Sequence, residues 1–256
     1  MNNQKQQDVN FSKNKEIDLI AVKSHEKEID PIRKALANEK YSKLGIQLKG
    51  YLKGKGFHNA LEAFDFAKKH HTGMRKDGYT PEFQHQIEIC LFIMTLKEIR
   101  DEQNTYVAAI LHDVREDYDI PYEVIESKFG KVAADVVENL TKVFKGTKKD
   151  TQEYFNQIAE CPISSIVKLA DRINNVSSMV GVFTIKKQED YIFEIKEYFF
   201  PLLKKVRGRF PDQSLSYYGM GTFLKNMSNT VEAVLISEKK MIENIDCKTK
   251  VIKPKM

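Results

Sequence analysis

Cysteine is scarce in this chain, and that scarcity excludes two classes of protein. The 256 residues include only three cysteines, Cys90, Cys161 and Cys247, which lie far apart in the sequence. An odd, scattered set does not fit a disulfide framework or a cysteine-ligated zinc site. Cys90 lies inside an apolar run, so we expect it to be a buried, reduced thiol.

Long hydrophobic runs are also lacking. No apolar stretch approaches the length that spans a bilayer. The first residues, MNNQKQQDVNFSKNK, have neither the apolar segment nor the small-residue cleavage site of a signal peptide. We therefore expect no membrane partner and a cytoplasmic location.

The chain does contain enough apolar material for a sizeable core. Hydrophobic residues make up 41% and charged residues 30%, with a formal net charge of +5, which is typical of a soluble globular protein. Much of the positive excess lies near the end, in Lys239, Lys240, Lys248, Lys250, Lys253 and Lys255. No aromatic residues interleave these lysines, so the cluster is more typical of a solvated end than of a nucleic-acid-binding tail. We expect no duplex nucleic acid as a partner.

Patterning divides the chain into three parts. Residues 1–45 are polar and weakly patterned, and we interpret them as an extension with one short helix around Ile32 to Leu36. Residues 46–235 are interpreted as one folded domain, and residues 236–256 as a Lys-rich tail.

Apolar residues recur at helical spacing through the central part. Ala60, Phe64 and Ala67 share one helical face, and a loop follows at HTGMRKDGYTPE. Further helices are predicted over residues 83–99, from about 105, over a short stretch between Pro121 and Gly130, and over 132–144, 163–180 and 186–206, the last kinked by Pro201. Strand-like alternation is scarce, so the fold class is predicted to be all-α.

A cluster of ionisable residues ends the apolar stretch VAAILHDVRED. On one helix, residues four apart share a face, which would place His112 over Glu116 and Asp113 over Asp117. Such a group is costly to bury unless its charges are compensated. A divalent cation such as Mn²⁺, Fe²⁺ or Zn²⁺ is the simplest compensation for imidazole and carboxylate together.

Two more residues of the same types occur on other predicted helices. His85 lies near the start of the helix PEFQHQIEI, and Asp171 interrupts the apolar helix SIVKLADRINNV. Alone, His85 is more typical of a structural histidine, and Arg172 could neutralise Asp171. Taken together, the order His, His-Asp, Asp on three helices predicts one metal site with an open coordination position for hydrolysis.

These segments resemble a known family. HTGMRKDG, then a histidine, then HDVRED and KLADRINN match in order the hydrolase signatures of the RelA/SpoT homologue superfamily, approximately RKSGEPYxxHP, HDxxED and KLADRxHN, over residues 57–205. The resemblance implies an HD-domain helical bundle with a divalent metal, usually Mn²⁺. It implies that the metal ligands are His85, His112, Asp113 and Asp171, that the catalytic acidic pair is Glu116 and Asp117, and that substrate is bound by Arg75, Lys76, Lys142 and Asn175.

Several positions depart from the family pattern. Gln86 replaces a proline, Tyr118 a threonine, Asn174 a histidine and Phe199 a tyrosine. Arg115 stands where the family usually has an aliphatic residue, and we expect it to bind phosphate or to pair with Asp119. The metal ligands survive these changes, whereas the nucleotide pocket has changed more.

The function implied by the resemblance is hydrolysis of the 3′-pyrophosphate of the guanine nucleotide alarmone (p)ppGpp to GDP or GTP and pyrophosphate. We expect no synthetase half, because too few residues follow residue 205 to form one. Alternatives are an HD phosphohydrolase acting on another nucleotide (NADPH as a 3′-type phosphatase, (p)ppApp, or pyrophosphate on RNA ends), a nucleotide sensor, or an antitoxin to a toxic alarmone synthetase. A homo-oligomer or a toxin is a possible partner.

Overall fold

The computed structural model describes the backbone of residues 31–251 and the side chains of residues 31–242. Most of the predicted N-terminal extension, the side chain of Cys247 and the last lysines of the Lys-rich tail lie outside these described residues. The first described helix, α1, covers residues 31–54. It is longer than the short helix predicted around Ile32, because Leu48 and Leu52 bury its second half against the core. The division of the chain at residue 45 stays a prediction.

The remaining elements follow in a nearly uninterrupted series. They are α2 (His58–His70), α3 (Gln84–Ile93), α4 (Glu102–Leu111), α5 (Val114–Tyr118), α6 (Tyr122–Phe129), α7 (Lys131–Leu140), β1 (Val143–Phe144), β2 (Thr147–Lys148), α8 (Thr151–Glu160), α9 (Pro162–Ser177), α10 (Ile185–Glu194), a π-helical turn (Ile195–Phe199), α11 (Phe200–Arg209), a 3₁₀ turn (Pro211–Gln213) and α12 (Ser214–Val251). The described part of the chain contains no strand beyond one two-residue hairpin, which confirms the all-α prediction.

Two central helices organise the core. Every residue of α4 from Thr105 to Leu111 is buried, and α4 packs against α2, α3, α7 and α9. Most of α9 is buried as well, between α3, α4, α7, α8 and α12. A helix that is apolar all round is held inside a bundle rather than on its surface. Polar groups on these two helices are therefore surrounded by protein and need specific partners.

The helix predicted over residues 83–99 ends earlier than expected, at Ile93. The segment that follows is fixed by the start of α12 instead of by helical hydrogen bonds. The Ser216 hydroxyl donates to the carbonyl of Lys97, and the Arg100 amide donates to Gln213 Oε1 at 2.7 Å. These partners lie more than a hundred residues away, so local periodicity could not reveal them.

The helix predicted to reach Phe144 also ends early, at Leu140, and a β-hairpin replaces its last residues. Val143–Phe144 pairs antiparallel with Thr147–Lys148. The connecting residues Lys145 and Gly146 both have positive φ, at 47° and 79°. Two such residues form the tight turn whose twist suits a hairpin.

Pro201 interrupts the long helix predicted over residues 186–206, as expected. Proline lacks an amide hydrogen and cannot continue the helical ladder, but it fits the first turn of a helix. Here the chain forms the π-helical turn Ile195–Phe199, and α11 then begins with Pro201 in its first turn. The hydrogen-bonding pattern of the helix therefore changes just before Pro201, and the kink itself stays a prediction.

Candidate metal and phosphohydrolase site

Side chains from three parts of the bundle meet in one place. His85 is the second residue of α3, His112 and Asp113 form the junction between α4 and α5, and Asp171 lies inside α9. All three helices pack against one another. The structure thus brings together the four residues that the sequence singled out as metal ligands.

His85, His112 and Asp113 place one ligand atom each within 4.8 Å of one another, and Asp171 lies beside both imidazoles. His85 Nε2 lies 3.2 Å from Asp171 Oδ1 and 3.8 Å from Asp113 Oδ2. His112 Nε2 lies 2.9 Å from Asp113 Oδ2 and 3.9 Å from Asp171 Oδ1. Ligand atoms about 2.1 Å from a common ion are separated by roughly 3 to 4 Å. The observed distances fall in that range.

Hydrogen bonding fixes which nitrogen of each imidazole faces the group. His112 Nδ1 lies 2.8 Å from the carbonyl of Ala109, which can only accept, so Nδ1 carries the proton. His85 Nδ1 lies 2.7 Å from Asn174 Oδ1, and the Asn174 amide nitrogen donates to Glu88 Oε2 at 3.1 Å. In the neutral rings, both Nε2 lone pairs therefore point at the carboxylates. His112 Nε2 is buried and lies 2.9 Å from Asp113 Oδ2, so the imidazole and the carboxylate can hold a proton or a cation between them.

The carboxylates and imidazoles change one another's ionisation. Burial opposes the charged form of His112, but the charges of Asp113 and Asp171 raise its pKa to about 9. Burial also opposes ionisation of Asp113, yet the neighbouring His112 and His85 lower its pKa to about 2. The pKa of Asp171 is held well below its ordinary value, mainly by Lys168 and His85 against the effect of burial. The site therefore keeps both carboxylates ionised and attracts positive charge.

Asn174, which in the sequence is only a departure from the family pattern, contacts one of the candidate ligands. Its side chain orients His85, and it belongs to a chain of hydrogen bonds that continues through Glu88 to Lys40 on α1 at 2.7 Å. Groups that orient metal-bound histidines affect metal affinity because they set the tautomer and the ring position. In the sequence, this contact is indicated by the position of Asn174 three residues after Asp171 on the same predicted helix.

We expect Asn174→Ala to weaken Mn²⁺ binding about 10- to 100-fold, because His85 would lose the acceptor that fixes its tautomer. Titration of the purified protein with Mn²⁺ measures this. Asn156→Ala, an exposed asparagine on α8, is the matched control and should leave the affinity unchanged. Equal affinity for the Asn174 variant and the control would contradict the orienting role.

Lys168 is the second residue that the sequence analysis did not assign. Its ammonium lies 3.1 Å from Asp171 Oδ2, on the side of that carboxylate away from the histidines. Arg172 does not neutralise Asp171, which was the alternative considered. Its guanidinium pairs with Glu194 and stacks on the rings of Tyr191 and Phe199 at 4.3 and 4.5 Å. Phe199 is fully buried behind Arg172 and does not line the cavity.

The acidic pair lies next to the four candidate ligands, but the local geometry differs from the prediction. His112 and Asp113 do not share one continuous helix with Glu116 and Asp117, because α4 ends at Leu111 and α5 begins at Val114. Glu116 Oε1 accepts the amides of Lys142 and Val143, the latter at 2.9 Å, which leaves Oε2 for other partners. Burial and the charges of Asp113, Glu82 and Glu116 raise the pKa of Asp117 to about 6.

Three of the candidate ligands, His85, Asp113 and Asp171, line a cavity of about 440 Å³ together with the acidic pair. The residues at its wall are Met74, Arg75, Lys76, Asp77, Glu82, His85, Gln86, Asp113, Glu116, Asp117, Lys168, Asp171, Arg172, Asn175, Ser178, Val182, Phe183 and Tyr191. A depression of about 550 Å³ elsewhere is lined by Arg100, Asp212 and Leu215 among others, and no histidine lines it. The candidate ligands therefore line the smaller of these two cavities.

Three of the four predicted substrate-binding residues line this cavity. Arg75 Nη2 donates to Asn175 Oδ1 at 3.2 Å, and Asn175 donates to Asp171 at 2.6 Å, so these side chains form a row. Lys76 lies 4.9 Å from the centre of the Phe183 ring. Lys142 does not line the cavity, and its ammonium lies 3.3 Å from Glu194. Its role in binding stays a prediction.

Lys187 completes a basic pair that the sequence did not indicate. Its ammonium lies 4.3 Å from the centre of the same Phe183 ring that Lys76 contacts. The nearby Lys76 lowers the pKa of Lys187 to about 8, because two ammonium groups disfavour each other's charge. Phe183 and Lys76 line the cavity and Lys187 lies behind them, and two cations held beside one aromatic ring are suited to an anion such as a phosphate.

Two further departures have structural partners. The Arg115 guanidinium lies 2.7 Å from Glu138 Oε2, donates to the carbonyl of Ile120 and stacks on Phe144 at 4.3 Å. It does not pair with Asp119, and it points away from the cavity, so both expectations for Arg115 are wrong. Gln86, which replaces a proline, lines the cavity and places Nε2 3.5 Å from Asp113 Oδ2.

The two cysteines whose side chains the structure describes are both free thiols. Cys90 is buried and Cys161 partly buried, and neither is in a disulfide. Burial raises the pKa of the Cys90 thiol, which keeps it protonated.

Among the described helices, we find none with the length and apolar character that crossing a membrane requires.

Comparison with known proteins agrees with this geometry. The HD domain family matches residues 63–206. The chain is 33% identical over 149 residues to guanosine-3′,5′-bis(diphosphate) 3′-pyrophosphohydrolase of Aquifex aeolicus, covering 56% of this chain and 21% of that protein. It is 25% identical over 217 residues to the bifunctional (p)ppGpp synthase/hydrolase SpoT of Escherichia coli strain K12, covering 80% of this chain and 30% of that protein.

A solved structure shares the fold. It is that of a metazoan ortholog of SpoT that hydrolyzes ppGpp and plays a role in starvation responses, with a TM-score of 0.53 at 22% identity, covering 67% of this chain and 94% of that chain. The chain spans 21% to 30% of the length of the curated relatives described above. The family match covers more than half of the chain. The chain belongs to the HD domain family, and the curated relatives to which it is similar include (p)ppGpp hydrolases such as SpoT.

Proposed function

We propose that this protein hydrolyses the 3′-pyrophosphate of (p)ppGpp to GDP or GTP and pyrophosphate, with Mn²⁺ as its metal. The observation that carries the proposal is the convergence of His85, His112, Asp113 and Asp171 from three helices, beside an acidic pair and a row of cationic side chains. The names of the curated relatives, which include 3′-pyrophosphohydrolases, support the choice of substrate.

The residues of the site have different roles in the proposed reaction, and these roles follow from their positions. A divalent cation held by the four ligands would supply positive charge that polarises a phosphoryl oxygen and acidifies water. Glu116 has one oxygen fixed by the Lys142 and Val143 amides, so its other oxygen can orient and deprotonate the attacking water. Asp117 lines the same cavity and can help to orient that water.

The opposite wall fits the substrate's phosphates. Arg75 presents a planar guanidinium that suits bidentate contact with phosphate oxygens. Lys76 and Lys187 lie together over Phe183, and they can share one phosphate between them. The exposed edge of Tyr191 and the Phe183 ring offer apolar surface for the nucleoside.

The proposal is tested by the product of hydrolysis. With Mn²⁺ and ppGpp, phosphorus NMR should show GDP and pyrophosphate in equal amounts. Release of orthophosphate alone from ppGpp, or turnover only of NADPH in the same panel, would replace the proposal with a phosphatase. No turnover of ppGpp, (p)ppApp, NADPH or RNA ends would leave a nucleotide-binding protein and contradict an enzymatic function.

Lys187 provides a specific test of the basic pair. We expect Lys187→Met to raise KM for ppGpp about 10-fold with little change in kcat, since one charge-assisted phosphate contact contributes about 1.5 kcal/mol or more. Lys186→Met is the matched control, because Lys186 is exposed and its ammonium pairs with Asp190 at 2.7 Å, whereas Lys187 packs on the Phe183 ring. Steady-state kinetics that show equal KM values for both variants would refute the role of Lys187.

Two expectations from the sequence stay predictions beside this function. A cytoplasmic location fits the substrate class. An antitoxin role would need a toxin partner, and rescue of a cell expressing a toxic alarmone synthetase would test it. A homo-oligomer also stays a prediction.

A further inference from the structure

A second group of possible metal ligands lies beside the first. His71, Glu82 and Asp117 place one ligand atom each within 4.8 Å of one another. His71 follows α2, Glu82 lies in the loop before α3, and Asp117 is in α5. None of the three belongs to the four-ligand group described above. The two groups are close, since Glu82 and Asp117 line the same cavity as His85, Asp113 and Asp171.

His71 is the observation that sets this group apart from an ordinary acidic patch. Its side chain is fully buried, yet neither ring nitrogen has a hydrogen-bond partner. A buried polar atom without a partner is costly and uncommon in folded proteins. The ring is held in place by stacking on Phe83 and by an edge contact with Tyr118, at centroid distances of 6.0 and 4.8 Å.

Glu82 is arranged to leave one oxygen available. Its Oε2 accepts the Tyr118 hydroxyl at 2.8 Å and the Gly73 amide at 3.2 Å. Its Oε1 is directed at His71 Nδ1 but lies 3.8 Å away, too far for a hydrogen bond. A gap of this size between an imidazole nitrogen and a carboxylate oxygen suits an ion bound to both.

The charge of the cavity gives a reason for a second cation. Six carboxylates and four cationic side chains line it, which leaves a formal charge of −2. One divalent cation would bring the lining only to neutrality, although the proposed substrate is a polyanion. A second divalent cation would give the lining a net positive charge. That charge would lie at the end of the cavity formed by Glu82, Glu116 and Asp117. Two cations flanking a transferring phosphoryl group stabilise charge on both of its sides.

We propose that His71, Glu82 and Asp117 bind a second divalent cation, of the Mn²⁺, Fe²⁺ or Zn²⁺ class that mixed imidazole and carboxylate ligands favour. Glu82 and the tyrosine that orients it, Tyr118, belong to this site as ligand and positioning residue. The metal site itself does not rest on the proposed function, but its role in binding a pyrophosphate group does.

Metal counting on the full chain tests the proposal without any substrate. Titration with Mn²⁺, followed by the EPR signal of the free ion, should show two bound ions per chain. His71→Gln should bind one, and His85→Gln should also bind one, since each removes a ligand of a different site. His58→Gln removes an exposed histidine at the start of α2 and should still bind two.

The outcomes separate this inference from the proposed function. One Mn²⁺ per wild-type chain, or two in His71→Gln, overturns the second site even if ppGpp is hydrolysed. Two ions that fall to one in His71→Gln support the site even if ppGpp is not a substrate. Because His71 is buried, Asp117→Asn provides a second variant at an exposed position. It should weaken the second binding event at least about 10-fold and leave the first unchanged, and an unchanged second event would contradict the site.

Discussion

Asp113→Asn is expected to lower the rate of ppGpp hydrolysis at least about 1000-fold and to weaken the first Mn²⁺ binding event strongly. The Asp113 carboxylate faces both imidazoles, with its Oδ2 at 2.9 Å from His112 Nε2 and 3.8 Å from His85 Nε2. The amide keeps the shape of the side chain but removes the negative charge. A group that loses one of its two carboxylates holds a divalent cation less tightly.

The variant also changes the proton balance at the site. The charge of Asp113 is the largest contribution that raises the pKa of His112, so His112 should titrate at lower pH in the variant. Asp119→Asn is the matched control because it makes the same change six residues further along. Asp119 is exposed, does not line the cavity and has a φ of 52°, a conformation that asparagine accepts readily. Metal binding and hydrolysis should be unchanged in the control. A comparable loss in both variants would mean that Asp113 acts only through folding.

Glu116→Gln is expected to lower kcat about 100- to 10,000-fold while Mn²⁺ affinity changes by less than about threefold. The glutamine oxygen can still accept the amides of Lys142 and Val143, so the hairpin β1–β2 should stay in place. Its amide nitrogen would then occupy the position of the free carboxylate oxygen. An NH₂ group donates and cannot take a proton from water, which removes the base without removing the side chain.

A loss of turnover without a loss of Mn²⁺ binding would identify Glu116 as the base. Glu123→Gln, an exposed glutamate in the first turn of α6, serves as the control and should have wild-type kinetics. Unchanged turnover in Glu116→Gln would show that the catalytic assignment is wrong. Loss of metal binding together with turnover would instead place Glu116 among the ligands.

Much of the site was predictable because its ionisable residues lie in apolar segments of the sequence. A carboxylate in the middle of the apolar run SIVKLADRINNV and a His-Asp pair at the end of VAAILHDV both require compensation once they are buried. The resemblance to the hydrolase signatures then fixed the order of the motifs. Three separate parts of the bundle do bring these side chains together, as that order implied.

The residues that escaped prediction act through contacts that span long stretches of sequence. Asn174 orients His85, 89 positions away. Lys187 is paired with Lys76 only by the packing of α10 against the loop before α3. His71 is unusual because it is buried without a hydrogen-bond partner. The sequence does not show which of its six histidines are buried.

The errors in helix boundaries have the same origin. The end of α3 at Ile93 depends on Gln213 and Ser216 at the start of α12, and the hairpin that replaces the end of the predicted helix to Phe144 depends on Glu116. In both places a distant side chain satisfies backbone groups that a helix would otherwise satisfy. Pro201 was predictable because the proline ring restricts the backbone by itself.

Anomalous diffraction from a crystal of the protein grown with Mn²⁺ tests the central claim most directly. The account predicts a manganese peak about 2.2 Å from both His85 Nε2 and His112 Nε2, in contact with carboxylate oxygens of Asp113 and Asp171. A manganese peak that contacts neither imidazole, or the absence of any peak between these four side chains at saturating Mn²⁺, would contradict it.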